Sequence, residues 1–213
     1  PLVEGAPVVV MITIDATRAD VVADKARAAA LPFFAELRRS AAMFTRAVSP
    51  GSQTSVSLTT LFSGRFFSQL YWSRYGTTSS RFLYAAEDPT PRFPEILSAN
   101  GVKTALFGGT NFLANEFGVA RGFAESKVPD GRRHAGATEL LDPLIARLNN
   151  AGPEPLFLYA HIMEPHSPYD RGKLKKGTDF DRYVSEVAVA DAQVARVART
   201  LAQRFPTRGV LII

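Results

Sequence analysis

Three polar residues of this chain stand where chemistry is commonly built: Asp15 behind an apolar run, Thr54 where a turn enters a helix, and His166 between two prolines. Six of the seven residues from Val8 to Ile14 are apolar and do not alternate, the pattern of a strand covered on both faces of a parallel sheet. Open α/β sheets bind ligands at the carboxyl ends of their strands, so Asp15 is placed either to meet a cation or substrate or to cap the turn that follows. In Ser49-Pro50-Gly51-Ser52-Gln53-Thr54-Ser55-Val56, hydroxyls gather at a helix start, where backbone N–H groups stabilise an anion. A threonine there could attack a phosphoryl or sulfuryl centre, but its hydroxyl is a weak nucleophile that needs a metal or a base, and Asp15 could supply the metal. The competing reading is that these Ser and Thr residues cap and pack the helix. In Leu156 to Tyr169, a core strand runs into Glu164-Pro165-His166-Ser167-Pro168, and the flanking prolines fix the direction in which the imidazole is presented. His161, within that strand, reads as a core histidine. His134, beside Arg132, Arg133 and Gly136 in an expected loop, carries little signal.

The elements that must hold these residues alternate between strand and helix patterns, the signature of a parallel sheet with crossover helices. Strands are expected over Val8–Ile14, Val102–Phe107, Leu156–Ile162 and Gly209–Ile213, with Met43–Val48 as a further extended segment. Helices are expected over Pro32–Arg39, Ser55–Phe62, Phe93–Ala99, Ala137–Asn150 and Phe180–Phe205. Asn100-Gly101 should form a left-handed stop to the third of these. In the last helix Tyr183, Val184, Val187, Ala190, Val194, Val197 and Leu201 recur at steps of three and four, which marks one face for the sheet. Arg65–Pro91, rich in Phe, Tyr, Ser and Arg, reads as a long surface excursion.

Composition narrows the classes. The 213 residues are 46% hydrophobic and 21% charged, as in an ordinary globular chain. There is no Cys, which removes disulfides, thiolate ligands and a cysteine nucleophile. The net charge of +5 suits an anionic substrate or surface. The basic residues are scattered, however, with Arg132-Arg133 and Lys173 to Lys176 the densest groups, so a solvated basic surface is favoured over a nucleic-acid site. No apolar run reaches the roughly 18 residues that span a bilayer. The chain starts at Pro1, and Gly209 to Ile213 is a core-strand pattern at its other end, so it is expected to be a piece of a longer protein.

Together the motifs resemble the sulfatase branch of the alkaline phosphatase superfamily, including its membrane-anchored phosphotransferase relatives. Ile14-Asp15-Ala16-Thr17-Arg18-Ala19-Asp20 is similar to the family's opening IDTLRAD run, whose first Asp is a metal ligand. Thr54 stands ten residues before Gly64 in a stretch closing Leu61-Phe62-Ser63-Gly64, the spacing of the family nucleophile before LLTG. Val102 to Phe107, then Asn111, then Arg121-Gly122-Phe123 resembles GYxTAxF…N…RGFD. Glu164 to Tyr169 resembles DPHxPY, and Tyr183 to Asp191 resembles the helix that follows it. Three positions depart. Thr54-Ser55-Val56-Ser57-Leu58 replaces the formylglycine context, and threonine cannot become formylglycine. Ala16 stands where many sulfatases have a second Asp, and Gly108-Gly109-Thr110-Asn111 replaces GKWH.

The resemblance implies an alkaline-phosphatase-like α/β three-layer sandwich with a mostly parallel central sheet, residues 1–213 forming one incomplete catalytic domain whose late metal ligands would follow Ile213. It implies a metal-dependent hydrolase or transferase of phosphate or sulfate esters. Asp15 and Thr54 would hold Mg, Mn or Ca, with Zn less suited to so few histidines. Thr54 would be the nucleophile, and His166 and Asn111 would contact substrate oxygens. Arg18 reads as the partner of a neighbouring carboxylate. The expected partner is an anionic ester, whether small molecule, glycan or lipid head group, with no nucleic acid. The expected setting is the extracytoplasmic side of a membrane, through an anchor outside this chain. A cation on one carboxylate and one hydroxyl is under-coordinated, so the piece by itself is expected to be inactive and to retain metal poorly. A sulfuric ester hydrolase using unmodified Thr54 and a non-catalytic anion- or glycan-binding relative stay open as alternatives.

Overall fold

The computed structural model of the protein describes residues 5–74, 83–131 and 133–212. Its described strands are β1 (Val8–Ile14), β2 (Lys103–Gly108), β3 (Glu125–Lys127), β4 (Leu156–Ile162) and β5 (Val210–Ile212). They form one sheet in the order β3-β2-β4-β1-β5, with every pairing parallel. The described helices are α1 (Ala19–Ala23), α2 (Pro32–Ser40), α3 (Thr54–Ser63), α4 (Phe93–Ala99), α5 (Ala137–Asn149) and α6 (Asp179–Arg204). None of the described helices is long and apolar enough to cross a membrane.

Successive side chains of a strand point to opposite faces, so a strand that is apolar throughout feeds two cores. Val8, Val10, Ala105, Phe107, Leu156, Leu158, Ala160 and Ile162 pack with α5 and α6 on one side. Val9, Met11, Leu106, Phe157 and Tyr159 pack with Leu58 and Phe62 of α3 and with Phe93 and Leu97 of α4 on the other. The result is three layers, helices on both faces of the sheet. On α6 the expected stripe is buried at Tyr183, Val187, Ala190, Val194, Val197 and Leu201. Asp191 on the same helix reaches across to α2, where its oxygens accept the amides of Phe33 (3.2 Å) and Phe34 (2.6 Å). That supplies the cap that Leu31 at the start of α2 lacks.

Some expectations change. Met43–Val48 is irregular and exposed rather than extended in a sheet, with Phe44 and Val48 largely in solvent, because none of the described strands lies beside it to satisfy its backbone. The Arg65–Pro91 excursion is anchored where it is described: Leu70, Tyr84, Ala85 and Asp88 are buried, and Ser73 bridges Tyr84. Residues 75–82 of that excursion, and Arg132 of the expected basic pair, lie outside the described residues. Two elements have no apolar signature that would announce them: the short helix α1, and β3, whose three residues are all exposed.

Candidate active site

Register assembles the site. β1 and β4 pair so that Thr13 lies opposite His161 and Ile14 opposite Ile162, and the Asp15 amide donates to the Ile162 carbonyl at 2.9 Å. Thr13, Asp15, Tyr159 and His161 share the parity of Val9, Met11 and Phe157, so all four face the α3 side of the sheet. There α3 begins at Thr54, and the Thr54 hydroxyl donates to Asp15 Oδ2 at 2.7 Å. His161 Nε2 stands 3.2 Å from the same oxygen. Its other nitrogen, Nδ1, is 2.7 Å from Thr13 Oγ1, which is in turn 2.7 Å from the Tyr159 hydroxyl.

The loop after Asp15 is held from the opposite layer. Tyr183 of α6 donates its hydroxyl proton to the Ala16 carbonyl (3.0 Å) and accepts the Arg18 amide (2.7 Å). Ala16 takes a left-handed φ of 51°, unusual for a residue with a Cβ, at the position where the resemblance expects a second carboxylate. Gly109 has no room for a side chain, since a Cβ there would come within 2.7 Å of the His161 carbonyl oxygen.

These residues line a pocket of about 700 Å³ whose wall includes Asp15, Gly51, Thr54, His134, His161 and His166. The His134 and His166 rings meet edge to face with centroids 5.0 Å apart. His134 is held by its backbone, with Arg171 donating to the carbonyls of His134 (2.7 Å) and Ala135 (3.0 Å). His166 Nδ1 lies 2.8 Å from the Ser167 carbonyl, which can only accept, so Nδ1 carries the proton of that bond. Burial opposes the charge on Asp15. The hydrogen bonds from His161 and Thr54 and the nearby imidazoles outweigh it and hold the carboxyl below the ordinary carboxylate value. Burial, then His166 and Arg171, push the His134 imidazole below its ordinary value.

Of the residues singled out in the sequence, Asp15, Thr54 and His166 share this pocket, and Arg18 and Asn111 are not part of its wall. Arg18 pairs with Asp20 at 2.7 Å on the exposed surface. Asn111 opens a short turn to Leu113, and its neighbours Thr110 and Phe112 reach the pocket instead. Sequence reasoning passed over His161 and His134. An imidazole at the penultimate position of a wholly buried strand was the available signal for His161, and nothing local marks His134.

A divalent cation does not fit these residues by themselves. Among the described residues no group of three or more His, Cys, Asp or Glu side chains is arranged to hold a metal ion, and Asp15 Oδ2 is already shared by Thr54 and His161.

Residues 7–212 match the sequence profile of the sulfatase family. A search among curated proteins gave no sequence match. Among solved structures, the C-terminal periplasmic domain of phosphoethanolamine transferase EptC from Campylobacter jejuni superposes with a TM-score of 0.68 at 16% identity, over 98% of this chain and 67% of that one. The soluble domain of lipooligosaccharide phosphoethanolamine transferase A from Neisseria meningitidis gives 0.67 at 17%, over 96% and 64%. The lipoteichoic acid synthase LtaP from Listeria monocytogenes gives 0.66 at 17%, over 95% and 53%. The chain thus spans about half to two thirds of the length of these structures, and their likeness to it is one of fold.

Proposed function

We propose, given that this chain belongs to the sulfatase family, that it is the Thr54-bearing part of a hydrolase or transferase acting on phosphate or sulfate esters. The observation that carries the reading is the Thr54 hydroxyl at the first position of α3, donating to Asp15 Oδ2 at 2.7 Å on the wall of the pocket. Asp15 is kept ionised and so accepts this hydrogen bond, which fixes the hydroxyl's orientation. Gln53, at the cap position, makes no side-chain bond to the helix start, so the first-turn amides of α3 are uncapped by it and suit an anionic group. In the proposed step the Thr54 Oγ1 bonds to the phosphorus as the ester's leaving oxygen departs, and the Thr54 proton passes to Asp15. Water or an acceptor alcohol then displaces Thr54. His166 would contact substrate oxygens from across the pocket.

Metal dependence belongs to the same proposal. Asp15 and Thr54 are the hard oxygen donors this chain would contribute to Mg, Mn or Ca, and the other ligands are not among the described residues. Threonine cannot become formylglycine, which favours phosphoryl over sulfuryl transfer. The named activities of the EptC and LtaP structures favour a lipid or glycan head group as substrate, presented on the extracytoplasmic side of a membrane to an anchored parent protein.

The test is turnover of aryl phosphate, aryl sulfate and phospholipid donors by the complete parent protein and its Thr54→Ala variant. Loss of turnover together with loss of a covalent adduct on the peptide containing residue 54 is the expected result. Full turnover by Thr54→Ala would remove the nucleophile assignment, and preference for the aryl sulfate would move the reading to a sulfuric ester hydrolase.

A further inference from the structure

We infer that Tyr159, Thr13 and His161 form a one-way chain of hydrogen bonds that fixes His161 as the Nε2–H tautomer and makes all three positioning residues for Asp15. The argument starts at the buried end. The Tyr159 side chain is fully enclosed, and its hydroxyl meets Thr13 Oγ1 at 2.7 Å. A phenol inside a core that did not donate to this neighbour would forfeit its hydrogen bond, so Tyr159 donates and Thr13 accepts. A threonine hydroxyl has one proton to give, and with Tyr159 occupying it as acceptor, that proton goes to His161 Nδ1 at 2.7 Å. Nδ1 is therefore the bare nitrogen.

The other end reaches the same answer independently. An ionised Asp15 accepts and cannot donate, so the proton between it and His161 must be carried by Nε2. The tautomer with Nε2–H and a bare Nδ1 gives every proton of the chain an acceptor. An Nδ1–H would make Thr13 Oγ1 accept from both His161 and Tyr159 and leave the Thr13 proton with neither of these neighbours as its acceptor. Asp15 Oδ2 then receives two donors, His161 Nε2–H and the Thr54 hydroxyl, and the carboxylate plane is set from inside the sheet before any substrate arrives. The consequence for turnover rests on the reading of Thr54 given above; the tautomer does not.

The experiment has two arms. In a selectively ¹⁵N-histidine-labelled sample of this chain at about pH 8.5, two units above the ordinary imidazole value, His161 should show a bare Nδ1 and a protonated Nε2. A slowly exchanging hydroxyl proton should correlate with Nδ1, and it should vanish in Thr13→Val. A protonated Nδ1, or a bare Nδ1 with no such correlation, would overturn the proposal. In the complete parent protein, Thr13→Val and Tyr159→Phe should lower kcat about tenfold with KM unchanged, and Thr13→Ser should restore it, as expected for groups that orient a reacting side chain. Equal kcat for Thr13→Val and Thr13→Ser would remove the positioning role. Full turnover by Thr54→Ala would instead sink the proposed function and leave the nitrogen signature unchanged.

Discussion

Two polar clusters lie on the same side of the sheet and use their charges in opposite ways. Beneath α4, Arg92 is completely buried and every arm of its guanidinium is engaged: Nε with the Gly118 carbonyl, Nη1 with Thr90 and Asp88, Nη2 with Ala85. Asp88 is filled in turn by the amides of Tyr71 and Thr90, and Glu95 by the Arg92 amide and by Arg121. Around Asp15 the count does not close. Asp15 takes its two donors on one oxygen, and the Nε2 of His166 has no partner in the described structure, while a pocket opens beside both. Buried charge that saturates itself holds chain together, whereas valences left open at a cavity are available to a ligand.

That contrast predicts a double dissociation. Thr54→Ala in the complete parent protein is expected to lower turnover by about ten-thousand-fold while leaving Tm within a degree or so, because the hydroxyl is spent on the pocket and not on the core. Arg92→Leu should do the reverse. It strands Asp88 and three carbonyls in the interior, so denaturant unfolding should report a loss of about 3–5 kcal/mol, with turnover per folded molecule unchanged. If Arg92→Leu cut turnover and spared stability, the division between the two clusters would be wrong.

The pocket carboxylate also gives stability a pH dependence. The folded value of Asp15 lies below its unfolded value, so its ionised form stabilises the fold above the ordinary carboxylate range, and that contribution is lost as pH falls through the depressed folded value. Asp15→Asn removes the titration. The stability difference between wild type and this variant should be flat from neutral pH down to about 4 and then close with further acid. A difference that widened on acidification would mean the carboxyl is raised, not lowered.

How far these features can be read from sequence follows from where their causes lie. β1 and β4 are legible end to end because a strand buried on both faces must be apolar throughout, and the α6 stripe is legible because one face must meet the sheet. Asp15, Thr54 and His166 are visible because each interrupts or ends a regular pattern, although the pocket they share depends on packing. β3 is invisible, since an edge strand of three exposed residues needs no apolar signature. His161 and Thr13 become a pair only through the register of β1 against β4, a relation between segments 148 residues apart. Arg121-Gly122-Phe123 is a motif in the sequence and turns out to be structural in the fold: Arg121 grips Glu95 and the Asp88 and Thr90 carbonyls, and Gly122 takes a φ of +94° with the backbone of Glu95 where a Cβ would go.

The smallest effect is the sharpest test of the contrast, because α3 carries open valences of a different kind. Ser55 and Thr59 lie one turn apart, both buried, and neither hydroxyl has a partner among the described residues. If an open valence always marked function, these would count with Thr54. They are not part of the pocket wall, however, so no ligand can reach them there and their desolvation is an uncompensated cost. Thr59→Val keeps the shape and removes the hydroxyl. It should raise stability by about 0.5–1 kcal/mol and leave turnover alone, read as a higher denaturation midpoint at constant slope. A destabilised Thr59→Val would mean that the hydroxyl is satisfied within the fold, and α3 would then carry one kind of open valence, at the pocket.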